Sequence, residues 1–307
     1  MKIAIVGSGG VGGYFGGRLS RAGFDVTFIA RGQHLEALRA GGIEIQSPLG
    51  GFHLRPVRAV GDPSSIGVVD VVLFAVKSWD TEQAARAIQP LIGPSTAIIS
   101  LQNGVEKDEV LRSFLPLGRV LGGVCYIASH IARPGLIVHT GTMQKIIFGD
   151  DQGRCSALAN SFQECCHRSG IDAEIRRDIE RAIWEKFVFL VGLSATTSAV
   201  RRPIGYVRSH PESRRLLLDV MREVVAVARA KGIPLEADYA EDRLSFCDTL
   251  PPEMTSSMHK DLERGSRLEL DWLSGSVVRL GEKLGVPTPV NRVISSILAL
   301  HAEGARL

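Results

Sequence analysis

Met1-Lys2-Ile3-Ala4-Ile5-Val6-Gly7-Ser8-Gly9-Gly10-Val11-Gly12 runs from a short apolar β segment straight into Gly-x-Gly-x-x-Gly, with its glycines at 7, 9 and 12. Ile3 to Val6 are β-branched or small, as a strand buried on both faces requires, and Val11 to Ala22 reads as a helix closed by Gly23. Between a strand and a helix each glycine has a task. Gly7 permits the tight turn, Gly9 lets the backbone approach a pyrophosphate, and Gly12 lets the helix pack closely on the strand. The phosphates then meet the positive end of the helix. With 33 glycines in the chain, chance matches are easy, so the position between strand and helix carries the reading. Gly7, Ser8, Gly9, Gly10, Val11 and Gly12 are therefore the expected dinucleotide cradle.

The end of the second predicted strand, Val26-Thr27-Phe28-Ile29-Ala30-Arg31, selects the nucleotide. An NAD-selective site wants a carboxylate there to accept hydrogen bonds from the ribose 2′-hydroxyl. None occurs from Ile29 to His34. Arg31 instead ends the strand, where its guanidinium can pair in a fork with a 2′-phosphate, so NADP(H) is the expected cofactor. The bland alternative is a solvated arginine on a strand-to-helix loop.

A chain of 307 residues is long for one core and suits two domains. Its net charge of +3 is spread out, with no basic run longer than pairs such as Arg176-Arg177 and Arg201-Arg202, so a nucleic-acid partner has no support. The longest apolar stretch, Phe187 to Leu193, is short for a membrane span, and the N-terminus reads as a strand rather than a leader. No membrane partner and a cytoplasmic location are expected. Cys125, Cys155, Cys165, Cys166 and Cys247 form no C-x-x-C pair and read as reduced thiols. The eight histidines lack metal spacing, so no metal is expected.

From Met1 to Glu174 the pattern alternates strand and helix. Val69–Val76 and Thr96–Leu101 are nearly continuous apolar runs, as in a parallel sheet covered on both faces. Val120–Ala128, Leu136–Thr140 and Lys145–Phe148 read as short strands of an antiparallel extension, separated by Arg-Pro-Gly and Gly-Thr turn signals. A helix over Cys155–Arg168 and a strand at Ile171–Ile175 complete this part. Long helical patterns then take over. Asp178–Val200, apolar on most faces, is the expected central helix. Ser209-His210-Pro211-Glu212 reads as a capping box opening a helix that runs to Lys231. Further helices are expected around Glu253–Arg264, Leu268–Leu284 and Pro289–His301. The fold class is α/β: a dinucleotide-binding domain over 1–174, then an all-helical domain over 175–307, whose apolar helices leave room for a homodimer.

Ala75-Val76-Lys77-Ser78 and Ser100-Leu101-Gln102-Asn103-Gly104 bring polar residues to strand ends, where open parallel sheets bind ligands. Lys77 and Asn103 are thus cofactor-site candidates, or plain turn residues, since Asn-Gly is a turn signal by itself. Lys186 sits in Trp184-Glu185-Lys186-Phe187-Val188-Phe189. Desolvation there lowers an ammonium's pKa and makes it a usable proton donor, as reduction of a carbonyl needs. The alternative is a lysine whose stem lies on the core while its head reaches water.

Taken together, the glycine loop, Arg31, Lys77, Asn103 in Gln-Asn-Gly, Trp184-x-Lys186, Ser257 in Ser-Ser-Met and Glu269 resemble the ketopantoate reductase (2-dehydropantoate 2-reductase) family. The resemblance runs in order over essentially the whole chain, including Pro134-Gly135-x-x-x-His139 and Gly285-Val286-Pro287-Thr288-Pro289. It implies a Rossmann-type domain followed by a helical domain, NADPH as hydride donor, and reduction of a 2-oxo acid to a 2-hydroxy acid, ketopantoate to pantoate in pantothenate biosynthesis being the reference case. It further implies Lys186 as general acid, Glu269 as the supporting acid, Ser257 as a substrate contact, Asn103 near nicotinamide and substrate, and Arg31 on the 2′-phosphate. Asp261, one helical turn beyond Ser257, is expected to share its face.

The chain departs from the family where substrate is read. Well-characterised members carry asparagines four and eight residues after the lysine, and a third on the following segment. Here Leu190, Ser194 and Ile204 stand at those positions. The lysine chemistry is kept while the substrate-facing positions, Leu190 and Ser194, become more apolar. A paralogous reductase of a more apolar ketone and a non-catalytic NADP sensor are the alternatives. A sensor has no use for a buried proton donor.

Overall fold

The computed structural model describes residues 1–116, 119–150 and 157–305. Two compact units are present, one of Met1–Gln102 with Lys107–Ile179, the other of Asn103–Glu106 with Glu180–Leu307. The chain thus passes to the second unit at 179/180 rather than at 174/175, and four residues from its first half belong to the second unit.

In the first unit the elements are β1 (Lys2–Val6), α1 (Gly10–Arg21), β2 (Asp25–Ile29), α2 (Gly32–Gly41), β3 (Ile43–Gln46), β4 (Phe52–Leu54), β5 (Arg58–Val60), β6 (Val71–Phe74), α3 (Thr81–Ala87), β7 (Ala97–Ser100), α4 (Lys107–Phe114), β8 (Val120–Arg133), β9 (Leu136–Gly149), α5 (Ala157–Arg168) and β10 (Asp172–Ile175). The sheet order is β4-β3-β9-β8-β7-β6-β1-β2-β5, with β10 on β9. From β8 to β5 every pairing is parallel, and β8–β9 and β3–β4 are antiparallel. Alternate residues of β1 feed opposite faces: Ile3 and Ile5 meet Tyr14, Phe15 and Leu19, while Ala4 and Val6 join Val72, Phe74 and Ala84. Burial on both faces explains why the strand reads as an unbroken apolar run.

β1 lies between β2 and β6, so the chain leaves it in one direction and later returns on the other side. That reversal is the switch point beyond whose strand ends ligands bind.

Two sequence expectations fail for identifiable reasons. Leu136–Thr140 and Lys145–Phe148 are one strand, because Gly141 at φ +75° absorbs a bulge opposite Ile127/Ala128 and the ladder resumes. The capping box at Ser209 does not form. Ser209 ends the short helix before, donating its Oγ–H to the Gly205 carbonyl at 2.6 Å, and the next helix starts on Pro211 without a side-chain cap. The expected helix start at Cys155 lies outside the described residues.

The second unit is helical: α6 (Ile179–Val200), α7 (Ile204–Ser209), α8 (Pro211–Ala230), α9 (Tyr239–Asp248), α10 (Ser257–Glu263), a 3₁₀ turn (Leu270–Trp272), α11 (Ser274–Leu284) and α12 (Pro289–Leu298). Helix α6 is apolar nearly all round because neighbours surround it. Trp184, Phe187, Val188 and Val191 are buried against Val220, Met221 and Val224 of α8, and each such side chain contributes roughly 1.5–3 kcal/mol of burial. Among the described residues α6 alone is long and apolar enough to cross a membrane, and 67% of its apolar window is buried inside the protein, as a core helix should be. Helix α12 is capped from α8: the Glu223 carboxylate accepts from the backbone N–H groups of Val290 (2.7 Å) and Asn291 (2.9 Å).

Candidate active site

Three glycines give the loop after β1 its shape. Gly7 has φ +89°, and a Cβ there would lie 2.6 Å from the Val76 nitrogen; one on Gly12 would lie 2.2 Å from the Gly7 carbonyl oxygen. Neither position admits a side chain. A Cβ on Gly9, by contrast, would meet nothing within 4 Å, which leaves its backbone open to a ligand. Ser8 turns inward: it is buried, and its Oγ–H donates to the Ile29 carbonyl at 3.1 Å, tying the loop to β2. Gly10 lies against the Ser129 backbone of β8, and Val11 is half-buried beside it.

Arg31 is the N-cap residue of α2 and exposed, and Lys77 follows β6 with its ammonium 5.5 Å from the centre of the Trp79 ring. The fold also brings a carboxylate to Arg31 that no local window of sequence shows: Asp80 Oδ1 lies 3.8 Å from its guanidinium. The two side chains are 60% and 36% exposed, and such a pair is worth about 0–1 kcal/mol, so Arg31 loses little by turning to a phosphate. An open glycine backbone at a helix N-terminus, flanked by two cations at neighbouring strand ends, fits a phosphorylated dinucleotide.

Sequence reading passed over His34. Its Nδ1 accepts from the Gly135 N–H at 3.2 Å, so Nε2 carries the proton and donates to the Ser8 carbonyl at 2.8 Å. The neutral ring thereby ties the glycine loop to the β8–β9 turn. Burial holds its pKa below the ordinary 6.5. A lowered histidine pKa favours the neutral form on folding, so its stabilisation is complete above 6.5 and is lost as pH falls from there toward the folded value. One proton per molecule gives at most about 1.4 kcal/mol per pH unit. His139, buried on Tyr14, is shifted the same way, again chiefly by burial. The wild type should therefore lose Tm between pH 7 and 5 more steeply than His34→Gln, which keeps a donor and an acceptor but cannot charge. Parallel Tm–pH curves would remove His34 from the account.

In the helical unit Lys186 is half-buried on α6, and its Nζ donates to Asn103 Oδ1 at 3.0 Å. Trp184 and Phe187 beside it are buried edge to face, 5.5 Å apart. Glu269, buried at 6% exposure, precedes the 3₁₀ turn Leu270–Trp272. Ser257 is exposed at the start of α10. Its neighbour Ser256 is the buried cap, accepting from the His259 N–H at 3.0 Å. Asp261 is half-buried one turn later. Leu190 is half-buried, and Ser194 is buried with its hydroxyl proton donated to the Leu190 carbonyl at 2.5 Å. Ile204 is core.

The structure thus joins Lys186 to Asn103 within one unit and gathers the glycine loop, Arg31 and Lys77 in the other. Gln102 was also overlooked. It is buried and donates to the Val76 carbonyl (3.1 Å) and Thr81 Oγ1 (2.8 Å), fixing the chain just before Asn103. Its only signal was its place in Gln-Asn-Gly.

Residues 3–153 match the profile described as ketopantoate reductase PanE/ApbA, and residues 178–302 match the profile of its C-terminal part. The chain belongs to the ketopantoate reductase family. It is an oxidoreductase. An uncharacterized oxidoreductase of Bacillus subtilis, YkpB, is 31% identical over 98% of this chain and 99% of its own. The 2-dehydropantoate 2-reductase of Archaeoglobus fulgidus is 32% identical over 97% and 96%. The crystal structure of a PanE/ApbA family ketopantoate reductase from Ralstonia eutropha superposes with a TM-score of 0.90 at 36% identity, covering 98% of both chains.

Within this ketopantoate reductase scaffold the cysteines read as filler. Cys125, Cys165, Cys166 and Cys247 are buried, and burial pushes the Cys247 thiol up to about 11 and the Cys166 thiol higher still, so neither is a nucleophile at neutral pH. Cys155 lies outside the described residues. Among the described residues no group of three or more His, Cys, Asp or Glu could hold a metal ion.

Proposed function

We propose that this family member is an NADPH-dependent reductase converting a 2-oxo acid to a 2-hydroxy acid, with Lys186 as proton donor. The Lys186 Nζ–Asn103 Oδ1 hydrogen bond of 3.0 Å carries the reading, because it presents a half-buried ammonium in a fixed direction. NADPH, held by the glycine loop, Arg31 and Lys77, supplies the hydride. Asn103 occupies one N–H of Lys186, and the ammonium stabilises negative charge on the ketone oxygen before giving it a proton. Glu269, buried in the same unit, supports the site as the family resemblance implies. An assay of NADPH oxidation with a panel of 2-oxo acids tests the proposal. Binding without turnover across the panel would favour a nucleotide sensor.

Substrate choice follows from helix geometry. Lys186, Leu190 and Ser194 are spaced i, i+4, i+8 and share one face of α6, so whatever the lysine protonates lies toward Leu190. Leucine cannot pair with a substrate hydroxyl, and Ser194 has already given its proton to the Leu190 carbonyl. Burying a hydroxyl without a partner costs about 1–3 kcal/mol. A branched 2-oxo acid lacking the 4-hydroxyl is therefore expected to show a higher kcat/KM than ketopantoate, the reference substrate of the family. Leu190→Asn should move that ratio toward ketopantoate by roughly tenfold. A wild type that strongly prefers ketopantoate would show that the hydroxyl is read elsewhere.

A further inference from the structure

Asn103–Glu106 lies in the sequence of the nucleotide-binding half yet belongs to the helical unit, and every one of its four residues is attached there. Asn103 Oδ1 accepts from Lys186 Nζ. Gly104, at φ +95°, lies so close to the Trp272 carbonyl that a Cβ would stand 3.2 Å from its oxygen. Val105 packs on the helical core. Glu106 Oε2 accepts from Ser276 Oγ at 2.6 Å and from Arg279 Nη2 at 2.9 Å, both on α11. Ser276 is 1% exposed, so water does not compete for its hydroxyl. Helix α11 has no acidic residue in its own first turn. Glu106 brings a carboxylate to that end, where the helix dipole favours one.

An ammonium on a four-carbon stem takes its direction from its acceptor, and this acceptor sits beside a glycine in the left-handed region. Left unheld, Gly104 is a swivel. We propose that Glu106, Ser276 and Arg279 are positioning residues for the reductase. By clamping the far end of the segment they hold the Asn103 carbonyl where it orients the Lys186 ammonium. The role assigned to them rests on Lys186 being the proton donor. A misplacement of about 1 Å in such a group costs up to roughly 10²-fold in rate.

Glu106→Gln, Ser276→Ala and Arg279→Met are compared with the wild type by two measurements. The first is steady-state kinetics with the best 2-oxo acid of the panel: kcat is expected to fall roughly 5- to 50-fold with KM for NADPH unchanged, and Arg279→Lys should recover most of the rate lost in Arg279→Met. The second needs no turnover. Reductive methylation of Lys186, followed by peptide mass spectrometry, should run severalfold faster in the variants, because Asn103 no longer holds the amine. Unchanged kcat together with unchanged methylation, in folded variants, would reduce the clamp to a structural staple. Should the wild type reduce no 2-oxo acid, the functional reading fails, while the methylation rates still decide whether the clamp holds Asn103 on Lys186. Arg279 is half-exposed, so its variants fold even if a change at buried Ser276 does not.

Discussion

Lys186→Ala is expected to bind NADPH nearly as the wild type does and to lose turnover by roughly 10²–10⁴-fold, the range of a general acid. The residues proposed to hold the dinucleotide belong to the first unit, and Lys186 belongs to the second, where it donates to Asn103. Truncation removes the ammonium from a half-buried position on a helix anchored by Trp184, Phe187 and Val188, so the helix survives the change. Calorimetric titration with NADPH and steady-state kinetics separate the two effects. A variant keeping wild-type kcat would make Lys186 a packing residue with a solvated head. Loss of binding and turnover together would point to disruption of the fold.

Arg31→Ala should weaken NADPH by about 1.5–3 kcal/mol, roughly ten- to a hundred-and-fifty-fold, and leave NADH almost unaffected, since only NADPH carries the 2′-phosphate. Arg31 is exposed, is no part of a core, and faces Asp80 at 3.8 Å, so its removal costs the fold little. Asp80 gives the experiment a sharper edge. A carboxylate left without its cation repels the extra phosphate, which adds to the loss for NADPH. Equal weakening of both cofactors would take Arg31 off the phosphate and leave the nucleotide preference to other residues.

Much of this molecule was legible in its chain. The buried parallel strands declared themselves because burial on both faces demands unbroken apolar runs, and the glycine loop because Gly7 and Gly12 stand where no Cβ fits. Lys186 and Glu269 stood out through the order of residues around them. Signals that depend on a single turn were less secure. Gly141 looked like a strand end and is a bulge, and Ser209 looked like a cap and closes the preceding helix. The strands β3 to β5 and helix α9 went unread, being short or polar on their exposed sides.

By itself the sequence determined the α/β-then-helical architecture and the family, and it singled out the glycine loop and Lys186 as candidates, all from local periodicity or from residue order. Only the tertiary structure decided which distant groups meet: Asp80 beside Arg31, His34 between the Ser8 carbonyl and the Gly135 N–H, Asn103 on Lys186, and Glu106 on Ser276 and Arg279, 170 and more residues away. Hydrogen bonds and ion pairs act over about 3–4 Å of space regardless of separation along the chain, so their partners are written in no window of sequence and exist only once the packed helices and the sheet have set each backbone in place.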